Sequence, residues 1–152
     1  RAYFQKQLRS RFDLNGIAAR VFAAHWQSAA PDRRQRALAL YEAWLTQGLM
    51  QLLGRHSGET FRVQRARRLK NAAWSVSSQV QRPNGERIAS EWVLRELKGG
   101  RFLITNLRTA DGGDLIRTHR EEFQMMLDLA PASAQSQGLE YLIEELEIRT
   151  RS

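Results

Sequence analysis

Apolar positions change period twice along the chain, giving a helical front, a strand-rich middle and a helical end. In the front, Phe12, Leu14, Ile17, Ala18, Val21, Phe22 and the His25/Trp26 pair recur three and four apart, the spacing of one helix face. Asp13 stands where an N-cap belongs. Ala29-Ala30-Pro31-Asp32 breaks that helix and places Pro31 in the first turn of the next, where a missing N–H is tolerated. There Ala37, Leu40, Tyr41, Trp44, Leu45, Gly48, Leu49, Leu52 and Leu53 form a wide stripe opposite Arg33, Arg34, Arg36 and Glu42. Gly54 and Ser57-Gly58 are expected to end it.

The middle switches to period two and predicts four strands. The first runs from Phe61-Val63 through Arg65, Arg67 and Leu69, and the second alternates Trp74, Val76, Ser78 and Val80 with polar residues. Pro83-Asn84-Gly85 is a hairpin turn, since Asn-Gly tolerates positive φ at both central positions. Ile88 to Lys98 is the third strand, and Gly99-Gly100 turns it into a fourth, Arg101 to Thr109. Asp114 then caps a helix with Leu115, Ile116, His119, Phe123, Met126 and Leu127 on one face, stopped by Pro131. Leu139, Leu142, Ile143 and Leu146 mark the last helix. The predicted helices are 12–28, 32–54, 114–129 and 134–149, and the predicted strands 60–69, 73–82, 87–98 and 101–109. Strands between helices give one α+β domain over 1–152, an antiparallel four-stranded sheet with helices on one face.

At 152 residues the chain buries roughly 68–70% of its unfolded surface and needs no disulfide or metal to fold. The formal charge is +8, and only Lys6, Lys70 and Lys98 among the basic residues are lysines. Such a surface favours anionic partners: nucleic acid, an anionic membrane face or an acidic protein. The absence of cysteine excludes disulfide scaffolds and thiol catalysis. No apolar run reaches the ~20 residues that span a bilayer. A start at Arg1 is expected of a processed or trimmed product, so the lack of a leader says nothing about export.

Catalytic chemistry finds little footing. His25, His56 and His119 lack metal-ligand spacing. There is no G-x-S-x-G. An isomerase or dehydratase in an α+β cone would need an inward Asp–His pair, yet the strand acids are Glu91 and Glu96 and no strand carries a histidine. Asp111-Gly112-Gly113-Asp114 reads as a capped turn, because two aspartates repel a phosphate. The run Arg62, Arg65, Arg67, Arg68 and Lys70 could track a nucleic-acid backbone, with alternation sending Arg65 and Arg67 to one face and Arg62 and Arg68 to the other. Trp74 and Trp92 sit within apolar alternation, where core is the commoner role. Four tryptophans, six phenylalanines and three tyrosines fit either a tight core or a cavity for an apolar ligand, and periodicity does not separate the two.

The order of elements resembles the MlaC / toluene-tolerance family of periplasmic phospholipid-binding proteins. The carrying segments are Phe12-Asp13-Leu14 opening a helix that reaches His25-Trp26, then Gln27-Ser28-Ala29-Ala30-Pro31-Asp32-Arg33-Arg34-Gln35, similar to the family's A-T-P-x-Q-R link. Gly58-Glu59-Thr60-Phe61-Arg62-Val63 is similar to the lead-in to its sheet, and Pro83-Asn84-Gly85 to its hairpin. Gly99 to Asn106 resembles its G-x-W-x-V-x-D strand, with Asn106 for the aspartate. Gly112-Gly113-Asp114 through Ile116 to Phe123 resembles the following helix start, with Asp114 for a serine. The resemblance spans roughly residues 3–148, and a hopanoid-associated branch shares the pattern.

The resemblance implies a cone-like fold whose curved sheet and helices enclose an apolar cavity. It implies a non-enzymatic periplasmic carrier, a monomer with phospholipid as ligand and no cofactor, metal or nucleic acid. Such a carrier exchanges lipid between an inner-membrane ABC transporter complex and an outer-membrane lipoprotein complex, maintaining outer-membrane lipid asymmetry and solvent tolerance. A hopanoid or other lipid as cargo, a cone-fold enzyme and a nucleic-acid-binding module are the alternatives. Two long acyl chains exposed to water carry roughly 20 kcal/mol of penalty, which a dry pocket must match. The expected lining is Val21, Phe22, Trp26, Leu40, Trp44, Leu45, Leu49, Val63, Trp74, Val76, Val80, Trp92, Leu94, Leu103 and Phe123, the inward stripe of each element.

Overall fold

Helices and strands follow the predicted order, with three departures that have local causes. The computed structural model describes residues 2–53 and 60–151. Its elements are α1 (Ala2–Arg11), α2 (Leu14–Phe22), α3 (Ala24–Gln27), α4 (Pro31–Leu53), β1 (Thr60–Arg68), β2 (Ala73–Gln81), β3 (Arg87–Glu96), β4 (Phe102–Thr109), α5 (Leu115–Asp128), α6 (Ala132–Gln135) and α7 (Leu139–Thr150). Gly54, Ser57 and Gly58, expected to end α4, lie outside the described residues, as does His56.

The helix expected over 12–28 is two helices. The Asp13 carboxylate caps α2 by accepting from the Gly16 N–H at 3.2 Å. Ala23, at φ 51°, then breaks the ladder before α3. Phe12 belongs to neither, because it bridges to Ile104 of β4, and the Asp13 N–H donates to the Ile104 carbonyl at 2.9 Å. A further helix, α1, precedes this junction, and its sequence carries too weak an apolar stripe to announce it. The helix expected over 134–149 starts at Leu139, with a separate turn, α6, before it. Gly138 makes that corner at φ 38°, where a Cβ would stand 2.5 Å from the His25 ring.

The sheet is antiparallel in the order β1-β2-β3-β4. It is a meander of consecutive hairpins, with positive φ at Gly85 and at Gly99 and Gly100; in the Asn84-Gly85 turn only the glycine takes it, so the expected positive φ at both positions is met at one. Two irregularities reset side-chain parity, one between Val63 and Arg65 and one between Val93 and Leu94. Against β4 pack α1, α2 and α5, and α4 packs on α7, α2 and α1. Ile17, Phe22, Tyr41, Leu45, Phe123, Leu142 and Ile143 are fully buried in one cluster among these helices. Phe22 stacks on Trp26 at 6.1 Å and leans on Phe123 at 5.3 Å. Asn106, buried in β4, ties the sheet to α5, since its Oδ1 accepts from the Leu107 and Ile116 N–H groups.

Candidate functional site

Strand register sorts the sheet into two unlike sides. Trp74 pairs with Leu94, Val76 with Trp92 and Val80 with Ile88, and across β4 Leu94 pairs with Ile104 and Trp92 with Leu107. Paired residues share a side, so these form one apolar surface turned to the helices. Trp92 and Ile104 pack on the helical core. The cover stops there. Trp74, Val76, Val80 and Ile88 stay half-buried with no helix packed extensively on β2 or β1, and Val63, at the edge, is 59% exposed.

Polar atoms set into this surface are few. The Trp92 indole N–H donates to Ser78 Oγ at 2.9 Å, and Ser78 and Ser90 hydroxyls share a hydrogen bond at 2.6 Å. Trp74 is different: its indole nitrogen is buried and has no partner among the described residues. A buried donor of this kind is uncommon and wants an acceptor. Arg68 lies over the Trp74 ring at 5.9 Å, and Phe102 meets that ring edge-on at 6.2 Å. The uncovered apolar surface therefore ends in a guanidinium and a free indole donor.

A trough lies between α4 and α5, and Leu107 of β4 borders it from the sheet. Its first hollow, about 240 Å³, is lined by Leu45, Leu49, Leu107 and Leu115, with His119 at its side. The next, about 220 Å³, shares Gly48 and His119 and adds Trp44. The third, about 390 Å³, continues past Trp44 and Glu122 to Met125, Met126, Leu129 and Tyr141. Gly48 faces open space in the trough floor, with no atom beyond its own stretch of helix within 4 Å of where a Cβ would stand. Burial drives the His119 imidazole down to about 4, so the ring is neutral. Its Nδ1 is 2.8 Å from the Tyr41 hydroxyl, and burial raises the Tyr41 phenol far above its ordinary range. Burial also raises the Glu122 carboxyl, against the pull of Arg149.

The expected lining residues fall into four groups. Val21, Phe22, Trp26, Leu40 and Phe123 are packed in the helical core and line none of the described hollows. Trp44, Leu45 and Leu49 border the trough. Trp74, Val76, Val80, Trp92 and Leu94 share the helix-facing side, and Val63 has their parity but stands beyond any cover. Leu103 was expected inward and is not. It pairs with Arg95 on the outer side, because Phe102-Leu103-Ile104 is a continuous apolar run that leaves parity to the register. Ile88, Ile104, Leu107, Gly48, Leu115 and Met126 were missed. Ile88 and Ile104 were open to period-two counting, but the trough was not, since it depends on how two helices cross.

Among the described residues no group of three or more His, Cys, Asp or Glu side chains gathers as a metal site, and no helix is long and apolar enough to cross a membrane. Glu91 is engaged structurally: hydrogen bonds from Ser75 and then Arg108 hold its carboxyl below the usual carboxylate range.

An open antiparallel sheet whose apolar side is only half covered by helices defines an α+β fold. The family model for the MlaC protein matches residues 1–147, and the chain belongs to that family. A phospholipid-binding protein from Ralstonia solanacearum, solved in complex with a phospholipid, has a similar fold, with a TM-score of 0.77 at 17% identity over 95% of this chain and 76% of that one. A comparison with curated proteins gives no match.

Proposed function

We propose that this chain is a non-enzymatic periplasmic carrier that holds a phospholipid by its acyl chains and passes it between an inner-membrane ABC transporter complex and an outer-membrane lipoprotein complex. The observation that carries the reading is the uncovered apolar side of the sheet, from Trp74 and Val76 to Ile88, with the α4–α5 trough bordered by Leu107 as a second apolar recess. Acyl chains laid on that surface and into the trough leave water, and each buried methylene contributes about 0.8 kcal/mol. The end of the surface suits a headgroup: Arg68 offers charge to a phosphate, and the Trp74 N–H offers a donor to an ester carbonyl. Family membership and the phospholipid in the Ralstonia relative support the same cargo. Binding of this kind needs no reacting side chain. The test is transfer: labelled phospholipid should move faster between vesicles that carry the two membrane complexes when the protein is added. No acceleration at any protein concentration contradicts the carrier role.

A further inference from the structure

We infer that β1 is a docking edge for an anionic lipid bilayer, with Arg62, Arg65 and Arg67 engaging headgroup phosphates from one side of the strand. The inference rests on the phospholipid reading above, because it supplies the surface from which such cargo would be taken up.

Simple alternation separates Arg62 from Arg65, which are three residues apart. The bulge between Val63 and Arg65 undoes this. Arg62 pairs with Gln79, Arg65 with Ser77 and Arg67 with Ser75, so all three stand on the outer side of the sheet. This corrects the expectation that Arg62 faces away from the other two. All three are exposed, and none forms an ion pair among the described residues. Elsewhere on that side Arg108 is paired with Glu91 and Asp114 and Arg95 with Asp13, while Arg87 of β3 is exposed with no ion pair among the described residues. Three arginines of that side thus stand together on the edge strand, Arg67 within the electrostatic reach of Glu91.

The same strand borders the uncovered apolar surface. Val63, exposed and of opposite parity, lies on the side that faces the helices, and no helix packs extensively on β1 or β2. A bilayer meeting this edge finds arginines for its phosphates beside an opening for acyl chains. Each basic residue near an anionic membrane contributes about fivefold in affinity. A single-stranded nucleic acid is a poorer fit, because it needs aromatic rings interleaved with the cations, and Trp74 and Trp92 lie on the other side of the sheet.

The test is co-sedimentation of the full chain with vesicles of phosphatidylcholine, with and without phosphatidylglycerol. Wild type should bind only the anionic vesicles and release them at high salt. Replacing Arg62, Arg65 and Arg67 by Gln should weaken binding on the order of 100-fold, whereas replacing them by Lys should keep most of it. Replacing Lys6, Arg20 and Arg151 by Gln removes equal charge elsewhere and should have a small effect. Melting temperature checks folding, and each single Arg→Gln variant, at about fivefold, covers a triple that fails to fold. Equal loss in both triples, or no anionic-vesicle binding while an acidic protein or DNA is retained, overturns the inference. Phospholipid in an organic extract of the same preparation reports separately on the carrier reading: extract positive with vesicles negative sinks only the docking edge.

Discussion

Tyr41 and His119 hold α4 and α5 together through a single hydrogen bond of 2.8 Å inside the helical layer, their rings edge-on at 5.6 Å. Either atom can donate in this bond, according to the His119 tautomer, and burial keeps the ring neutral by driving it down to about 4. The unfolded chain regains the ordinary histidine value near 6.5 and binds more protons than the folded one between these limits. Stability therefore falls as pH drops from about 6.5 to about 4, by on the order of 3 kcal/mol from this residue, and changes little from it below that. Urea unfolding across this window should show the slope. His119→Asn, which keeps an acceptor near the Nδ1 position but does not titrate, should flatten it; an unchanged slope would assign the pH dependence to other groups.

Gly48 separates folding from cargo. A side chain there meets open space, and replacing a helical glycine removes a cost of roughly 0.5–1 kcal/mol. Gly48→Leu should raise the melting temperature while filling the middle of the trough, so retained phospholipid should fall. A stabilised variant with undiminished lipid would remove the trough from the binding surface.

Trp74 tests the headgroup end. Its unpartnered N–H is a liability of about 1–3 kcal/mol in the empty protein. Trp74→Phe should thus change the stability of delipidated protein by less than the loss of ring area alone suggests, yet lower phospholipid retention severalfold. Full retention would show that the indole donor does not meet the ligand.

Gly138 is a structural control. With φ at 38° and a Cβ position 2.5 Å from His25, Gly138→Ala should cost about 1–3 kcal/mol in chemical denaturation. A neutral result would mean the α6–α7 corner relaxes freely.

The sheet was the most legible part of the sequence. Asn84-Gly85 and Gly99-Gly100 fixed its hairpins, and Asp13 and Asp114 cap the helices they were expected to cap. Parity failed where no local signal exists: the bulge at Arg65 and the apolar run at Leu103 are settled by strand pairing. The helix break at Ala23 was hidden because an alanine at positive φ looks like any helical alanine. For the site, periodicity found apolar positions such as Phe22 and Val76 alike, but whether each is met by a helix is decided by tertiary packing. Hence Phe22 is core and Val76 faces a gap.

Native mass spectrometry of the protein freshly purified from bacteria, paired with mass spectrometry of its organic extract, tests the central claim most directly. The account predicts a mass increment of a bound diacyl phospholipid, recovered in the extract and diminished in Gly48→Leu. A polypeptide mass alone, with no phospholipid in the extract, would contradict it.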